Sequence, residues 1–205
     1  MKSIRIAFAR FLPKWRIAAL WLGLASLSTA QALSVLPLYL EELIDTSAVA
    51  FEGTCTGNRT ERDAATNLVV TYTTFAVHDV LKGSVDTTHV IKQVGGSIPG
   101  DDLQYLVPGI PKFAVGENYV VFLAGVSSAG FSSPIGLGQG RFSIKSEGAA
   151  RKVSNGRDFR DLTARILPGL PATAKARLQQ DSAPVRDMDL DEFKQIVRTH
   201  VGAGR

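Results

Sequence analysis

The stretch TYTTFAVHDVLKGSV, Thr71 to Val85, decides how the rest of the chain is read. Extended by a few residues upstream, it alternates as a strand from about Leu68 to Leu81. Val69, Thr71, Thr73, Phe75 and Val77 share one face, and Val70, Tyr72, Thr74, Ala76 and His78 the other. Such crowding of Thr, Val, Tyr and Phe suits a pleated, half-buried surface. The strand stops at Lys82-Gly83, where glycine supplies turn conformations and a lysine discourages edge pairing. His78, Asp79 and Lys82 therefore admit two readings: a dispersed hydrolase site, or the exit of a strand with His78 turned away from the core. The second is preferred.

Similar signals recur on both sides. A strand is expected around Ala48 to Thr56, followed by TGNRTERDAAT as a polar hairpin connection. Downstream, HVIKQV is a strand closed by Gly95-Gly96, and Ser97 to Lys112 a long loop with three prolines. GENYVVFLAG gives a fourth strand, SSAGFSSP a loop, and IGLGQGRFSIK a glycine-rich strand before a turn near Gly148 and a last short strand. Five to six strands separated by turn signals predict a mainly β domain, a small barrel or sandwich, over residues 33–157. A short helix with Leu36, Leu40 and Leu43 at helical spacing precedes it. Residues 158–186 mix charged, Ala and Pro content and are expected to be a linker or weakly helical tail. Residues 187–201 form an amphipathic helix, with Asp189 and Glu192 placed near a capping box and Leu190, Phe193 and Val197 on one side.

The first 32 residues stand apart. Lys2, Arg5, Arg10, Lys14 and Arg16 precede an apolar run, Ile17 to Leu27, and Ala30-Gln31-Ala32 offers small residues for a secretory cleavage site. The competing reading is an uncleaved anchor. Ser26, Ser28, Thr29 and Gln31 interrupt the run and Pro37 disturbs a continuing helix, so cleavage before Leu33 is the reading taken. Loss of those five basic residues leaves 18 Lys and Arg against 19 Asp and Glu, a net −1 where the whole chain carries +4. The product is expected to be secreted or periplasmic, without stable membrane insertion. Its charge also removes the case for nucleic acid, which needs a basic surface.

Chemistry is sparse. The one cysteine, Cys55, rules out an internal disulfide; its parity with Phe51 turns the thiol inward as a small hydrophobe, the alternative being a reactive thiol or a dimer bridge. His78, His89 and His200 form no metal-ligand spacing, and no serine sits in a Gly-x-Ser-x-Gly elbow. Asp101-Asp102 lacks the further oxygen ligands of a calcium loop. Gly136 to Gly140, GLGQG, lacks the following helix that a phosphate-cradling loop requires, so its glycines mark bulges or close backbone approach within a strand. Asn58-Arg59-Thr60 fits the glycosylation pattern. No catalytic, metal or cofactor-binding residue is assigned.

AVAFEGTCTG, TYTTFAVHDVLKGSV, KFAVGENYVVFL, GLGQGRFSI and LDEFKQIV together resemble a family of small exported bacterial proteins, over roughly Leu40 to Phe142 plus the last helix. The resemblance brings no activity with it. More distantly, the order strand, VLKG, strand, GE-Y-V-FL is similar to the netrin and metalloprotease-inhibitor domains, which implies an OB-like barrel. Those domains open with a Cys-x-Cys segment whose amino end caps the protease zinc, whereas Leu33-Ser34 would stand first here. The fold is carried over by the resemblance; the inhibitory mechanism is not. The expected function is a non-enzymatic exported module that binds a protein or glycan through the loops at Ser97 to Lys112 and Ser127 to Pro134. A hydrolase and a nucleic-acid-binding OB fold are the alternatives.

Overall fold

In the computed structural model, residues 36–101, 104–166, 169–180 and 183–204 are described. The expected signal segment, 1–32, and Asp102 lie outside them. Helix α1 (Leu40–Thr46) leads into the long strands β1 (Val49–Arg62) and β2 (Val69–Lys82), then β3 (Thr88–Val94) and the short β4 (Gly96–Ser97) and β5 (Gln104–Tyr105). Strands β6 (Asn118–Leu123), β7 (Arg141–Glu147) and β8 (Ala150–Ser154) follow. Helices α2 (Phe159–Leu162) and α3 (Ala172–Gln180), strand β9 (Met188–Asp189) and helix α4 (Leu190–Ala203) complete the order.

The molecule is mainly β, but strand number and closure differ from expectation. Seven strands form one antiparallel sheet in the order β3-β2-β1-β6-β7-β8-β9, and β4 pairs β5 separately. The outer strands β3 and β9 do not pair, so the sheet is open. The extra length lies beside the last helix: β9 is two residues long and runs directly into α4, which packs back on β2, β8 and β9.

Strand β1 is the axis of this arrangement, bonded to β2 on one side and β6 on the other. Register shifts after Ala50, Glu52 and Cys55 bend it, as bulges do. It is also longer than its sequence announces. Thr56 to Arg62, expected as a connection, continues the strand because each residue from Gly57 to Arg62 finds a partner on β2 between Thr74 and Val69. The true turn is shorter. Asp63 organises it, accepting from the Thr66 N–H (3.0 Å) and the Thr66 hydroxyl (2.7 Å).

Both faces of the central strands are buried, in two separate cores. On one face Ala50, Val120, Phe122, Phe142 and Val153 pack against α1 and α4, which contribute Leu40, Leu43, Ile44, Phe193, Ile196 and Val197. Phe142 and Phe193 rings stand 4.9 Å apart there. On the other face Phe51, Cys55, Phe75, Ile91, Phe113, Tyr119, Val121 and Leu123 form the second core, with Phe75 edge-on to Phe51 (5.5 Å) and Phe113 (5.0 Å).

Three further expectations need correction. Of the two readings of residues 158–186 the helical one fits, with two short helices, and the linker one does not: Phe159, Leu162, Leu170, Ala174, Leu178 and Val185 are buried in the helix-covered core. Their irregular spacing over two short helices hides them from a periodicity reading. Leu36 is not on the buried face of α1, being 82% exposed. Pro37 disfavours helix at the residue before it, and α1 starts only after Tyr39, whose N–H donates to Glu42 Oε2 at 2.9 Å. The glycines of GLGQG lie in the turns before β7 rather than inside a strand. The close approach is real at Gly140, where a Cβ would sit 2.9 Å from Ile135 and Phe122 backbone atoms. In α4 the N-cap half of the expected capping box is present: Asp189 accepts from the Asp191 and Glu192 N–H groups at 3.0 and 3.3 Å, while Glu192 Oε1 accepts from the Thr173 hydroxyl.

Candidate functional site

The three side chains of the dispersed cluster go three ways. His78 is exposed and its Nε2 meets Thr54 Oγ1 at 2.6 Å. Asp79 turns to α4, pairing with Lys194 at 2.8 Å and with Arg198. The Lys82 ammonium donates to the carbonyls of Ile44 and Asp45 at the C-terminal end of α1, where helix polarity favours a cation.

Around Asp79 lies a buried charge cluster. Glu52, 3% exposed at its side chain, binds Arg151 (2.7 Å) and Lys194 (2.8 Å), and Lys194 bridges to Asp79. Burial alone would lower the Lys194 pKa. The hydrogen bonds and charges of Asp79 and Glu52 outweigh it, and the pKa rises. Both of these carboxylates have cationic partners, so the cluster docks α4 on the sheet.

The remaining titratable candidates are also engaged in structure. His200 Nε2 meets Asp45 Oδ1 at 2.9 Å. His89 packs beside the Phe51 ring, and burial pushes its pKa down, partly opposed by Asp86. Cys55 is fully buried, and burial pushes its thiol pKa up. Among the described residues no group of three or more His, Cys, Asp or Glu stands close enough to hold a metal ion.

A cavity opens elsewhere, at the far end of the second core. Its volume is about 280 Å³. The floor is a row across three strands, Thr60 of β1, Thr71 of β2 and Gln93 of β3, with Asn58 and Thr73 in the next row. The roof is made by Gly95–Ser97 and by residues 105–113, which bring Leu106, Val107, Ile110 and Pro111 over the opening. Leu106 and Val107 are 62% and 40% exposed. The tight approach of roof to floor explains Gly96, at φ +136°: a Cβ there would overlap Thr71 Oγ1 and Thr60 Cγ2.

The hydrogen bonds of the floor can be assigned one by one. The Phe113 carbonyl only accepts, so it takes a proton from Asn58 Nδ2 (2.7 Å). Asn58 Oδ1 then faces Thr73, which donates to it (2.7 Å). The Thr71 hydroxyl donates to the Gly95 carbonyl (2.7 Å), so in the 2.9 Å contact between Thr60 and Thr71 the donor is Thr60. One polar group is left over. Gln93 is 3% exposed, and its Nε2 meets no acceptor among the described residues. A buried donor left unpaired costs about 1–3 kcal/mol.

None of these floor residues is marked as functional by sequence alone. The signal is present in HVIKQV, where Gln93 shares parity with Ile91 and so must face inward with it. Of the two loops expected to carry recognition, Ser97 to Lys112 roofs this cavity, whereas Ser127 to Pro134 packs beside β3, with the Ser132 N–H donating to the Lys92 carbonyl at 3.1 Å. Asn58 of the glycosylation pattern has its amide nitrogen engaged with Phe113.

Comparison with known proteins finds no matching family model, no similar curated protein and no similar solved structure. Among the described residues no helix is long and apolar enough to cross a membrane.

Proposed function

We propose that this chain is an exported binding module, acting outside the cytoplasm by recognition rather than by bond-making, and that the cavity between the β1–β2–β3 floor and the Gly95–Phe113 roof is its ligand site. In this reading the fold is OB-like, which the bend of β1 between its two neighbours favours. The observation that carries the reading is the Gln93 amide, buried and without a partner among the described residues at the cavity floor. Stable proteins pair such groups, so an unpaired donor on a residue that lines a cavity favours a ligand there. The exposed Leu106 and Val107 at the rim add apolar surface where an incoming molecule first makes contact.

The test is retention. Immobilised protein is exposed to periplasmic extract or culture medium, and the bound material is compared with that held by a Leu106→Asp variant. The reading requires a specific ligand or partner that the variant loses. Nothing retained, or equal retention by both proteins, overturns it.

A further inference from the structure

We infer that the cavity takes a small monocarboxylic acid, its apolar body under the roof and its carboxylate at Lys112; this rests on the reading of the cavity as a ligand site. The polar floor has little left with which to select a ligand, because its protons are spent within the protein. Thr71 donates to the Gly95 carbonyl, Thr60 to Thr71, and Thr73 to Asn58 Oδ1. The Asn58 amide nitrogen is taken by the Phe113 carbonyl and by Cys55, and Gln93 Nε2 lies below the accessible surface. What meets an incoming molecule is the roof and the rim. There Tyr105, Leu106, Val107, Ile110, Pro111 and Phe113 supply a mainly apolar lining, with Leu106 and Val107 open to solvent.

Charge supplies the selection. Among the described residues Lys112 alone brings a charge to the lining, and no Asp or Glu lines the cavity with it. Its backbone is fixed on two sides: its own carbonyl accepts from Arg141 Nη1 and that of Phe113 from Asn58 Nδ2, both at 2.7 Å. The ammonium is not fixed. The residue is exposed, and among the described residues its Nζ has no hydrogen-bond or ion-pair partner. Two more cations stand close. Arg141 reaches the Lys112 carbonyl, and the Arg62 guanidinium lies 5.9 Å from the centroid of the Tyr105 ring, itself part of the lining. Neither has a carboxylate partner among the described residues, whereas Lys92 and Lys194 are paired with Asp63 and Glu52. A cleft of one sign with apolar walls concentrates the field at its mouth and draws an anion.

The combination narrows the ligand. A neutral acyl chain or alcohol would leave the charge at the rim unanswered. A small inorganic anion would leave the apolar roof uncovered. A phosphate calls for several convergent donors, while the free ammonium of Lys112 matches a single negative charge. An engineered cavity of about 150 Å³ lined by apolar side chains takes benzene, a body of six carbon atoms. By that measure a volume of about 280 Å³ takes a body of roughly ten.

The experiment is a titration of the purified full chain with octanoate, octanol and acetate, at a pH where both acids are ionised. Nitrogen–proton NMR correlation spectra follow the backbone amides of Gly96, Val107, Ile110 and Phe113. Acetyl-alanyl-alanyl-leucine, a peptide with a free carboxylate, is titrated alongside. Octanoate is expected to shift these signals saturably, octanol to bind about fivefold or more weakly, and acetate to leave them in place. Lys112→Met keeps an unbranched stem and removes the charge. It should weaken octanoate about fivefold or more and leave octanol unchanged. Lys145→Met, on the exposed end of β7, should change neither. Added salt should weaken octanoate and spare octanol. Equal binding of octanol and octanoate, or octanoate binding that Lys112→Met does not weaken, overturns the acid and leaves the cavity as a ligand site. Saturation by the tripeptide or by acetate, with octanoate silent, does the same. Silence from every probe overturns the inference as well, and together with failure of the retention test it removes the site.

Discussion

The two cores on either side of the central strands are built from the same sheet and finished differently. The helix-covered core is closed by aromatic and aliphatic side chains from α1, α2, α3 and α4, among them Phe159 and Phe193, which meet Phe122 and Phe142 of the sheet, all four fully buried. The second core starts in the same way, with Phe51, Phe75 and Phe113, and ends in hydroxyls and amides around a cavity. In the first, every buried apolar surface adds to stability. In the second, the row Thr60–Thr71–Gln93 and the pair Asn58–Thr73 beside it carry Thr, Asn and Gln where Val and Ile would pack better. The proposed binding there would account for such a concession.

The contrast breaks most visibly at Phe193. Phe193→Ala should remove about 3–5 kcal/mol of stability by opening a hole against Phe122, Phe142 and Phe159. Equilibrium urea unfolding measures it, and a loss below about 1 kcal/mol would show that the helices contribute little to that core.

A smaller effect of opposite sign is expected at the other core. Gln93→Leu replaces an unpaired buried amide by an apolar group and should leave stability unchanged or raise it by about 1 kcal/mol, read in the same urea experiment. A clear destabilisation would mean that the Gln93 amide is already satisfied in solution, and the cavity would lose its unpaired donor.

The smallest effect concerns the loop that holds the β1–β2 turn to β3. Hydrogen bonds from Lys92 and Thr66 hold the Asp63 carboxyl at about 2, below its usual 3.8. A carboxylate with a depressed folded pKa stabilises above the unfolded value and loses that contribution as pH falls toward the folded one. Thermal unfolding of wild type and Asp63→Asn should therefore differ above about pH 4 and converge as the pH approaches 2. Parallel curves across that range would show that Asp63 does not supply the dependence.

How much of the fold is legible in the sequence follows from where the physical signal is local. Alternation in β2 and β3, the Gly95-Gly96 corner and the Asp189 cap are properties of neighbouring residues, and the sequence carries them openly. The continuation of β1 to Arg62 is not local: Asn58, Arg59 and Thr60 read as a loop until β2 supplies their partners. The burial of Phe159, Leu170 and Leu178 is hidden because the helices around them are too short to show a period. The cavity is the least legible part. Gln93 and Thr71 are ordinary strand residues individually, and only their alignment across three strands, under a roof fixed at Gly96, makes a site.

Strand β1 has one more consequence. Ala50 belongs to the helix-covered core, while Phe51 and Cys55 belong to the second. One continuous ladder thus threads both, and neither can open without tearing hydrogen bonds from the strand the other needs. The β1 amides from Ala50 to Thr54, flanked by β2 and β6, should exchange with solvent only through global unfolding. Residues 105–110 of the roof, outside the seven-stranded sheet, should exchange well before them. The molecule would then breathe at its mouth while its backbone stays locked.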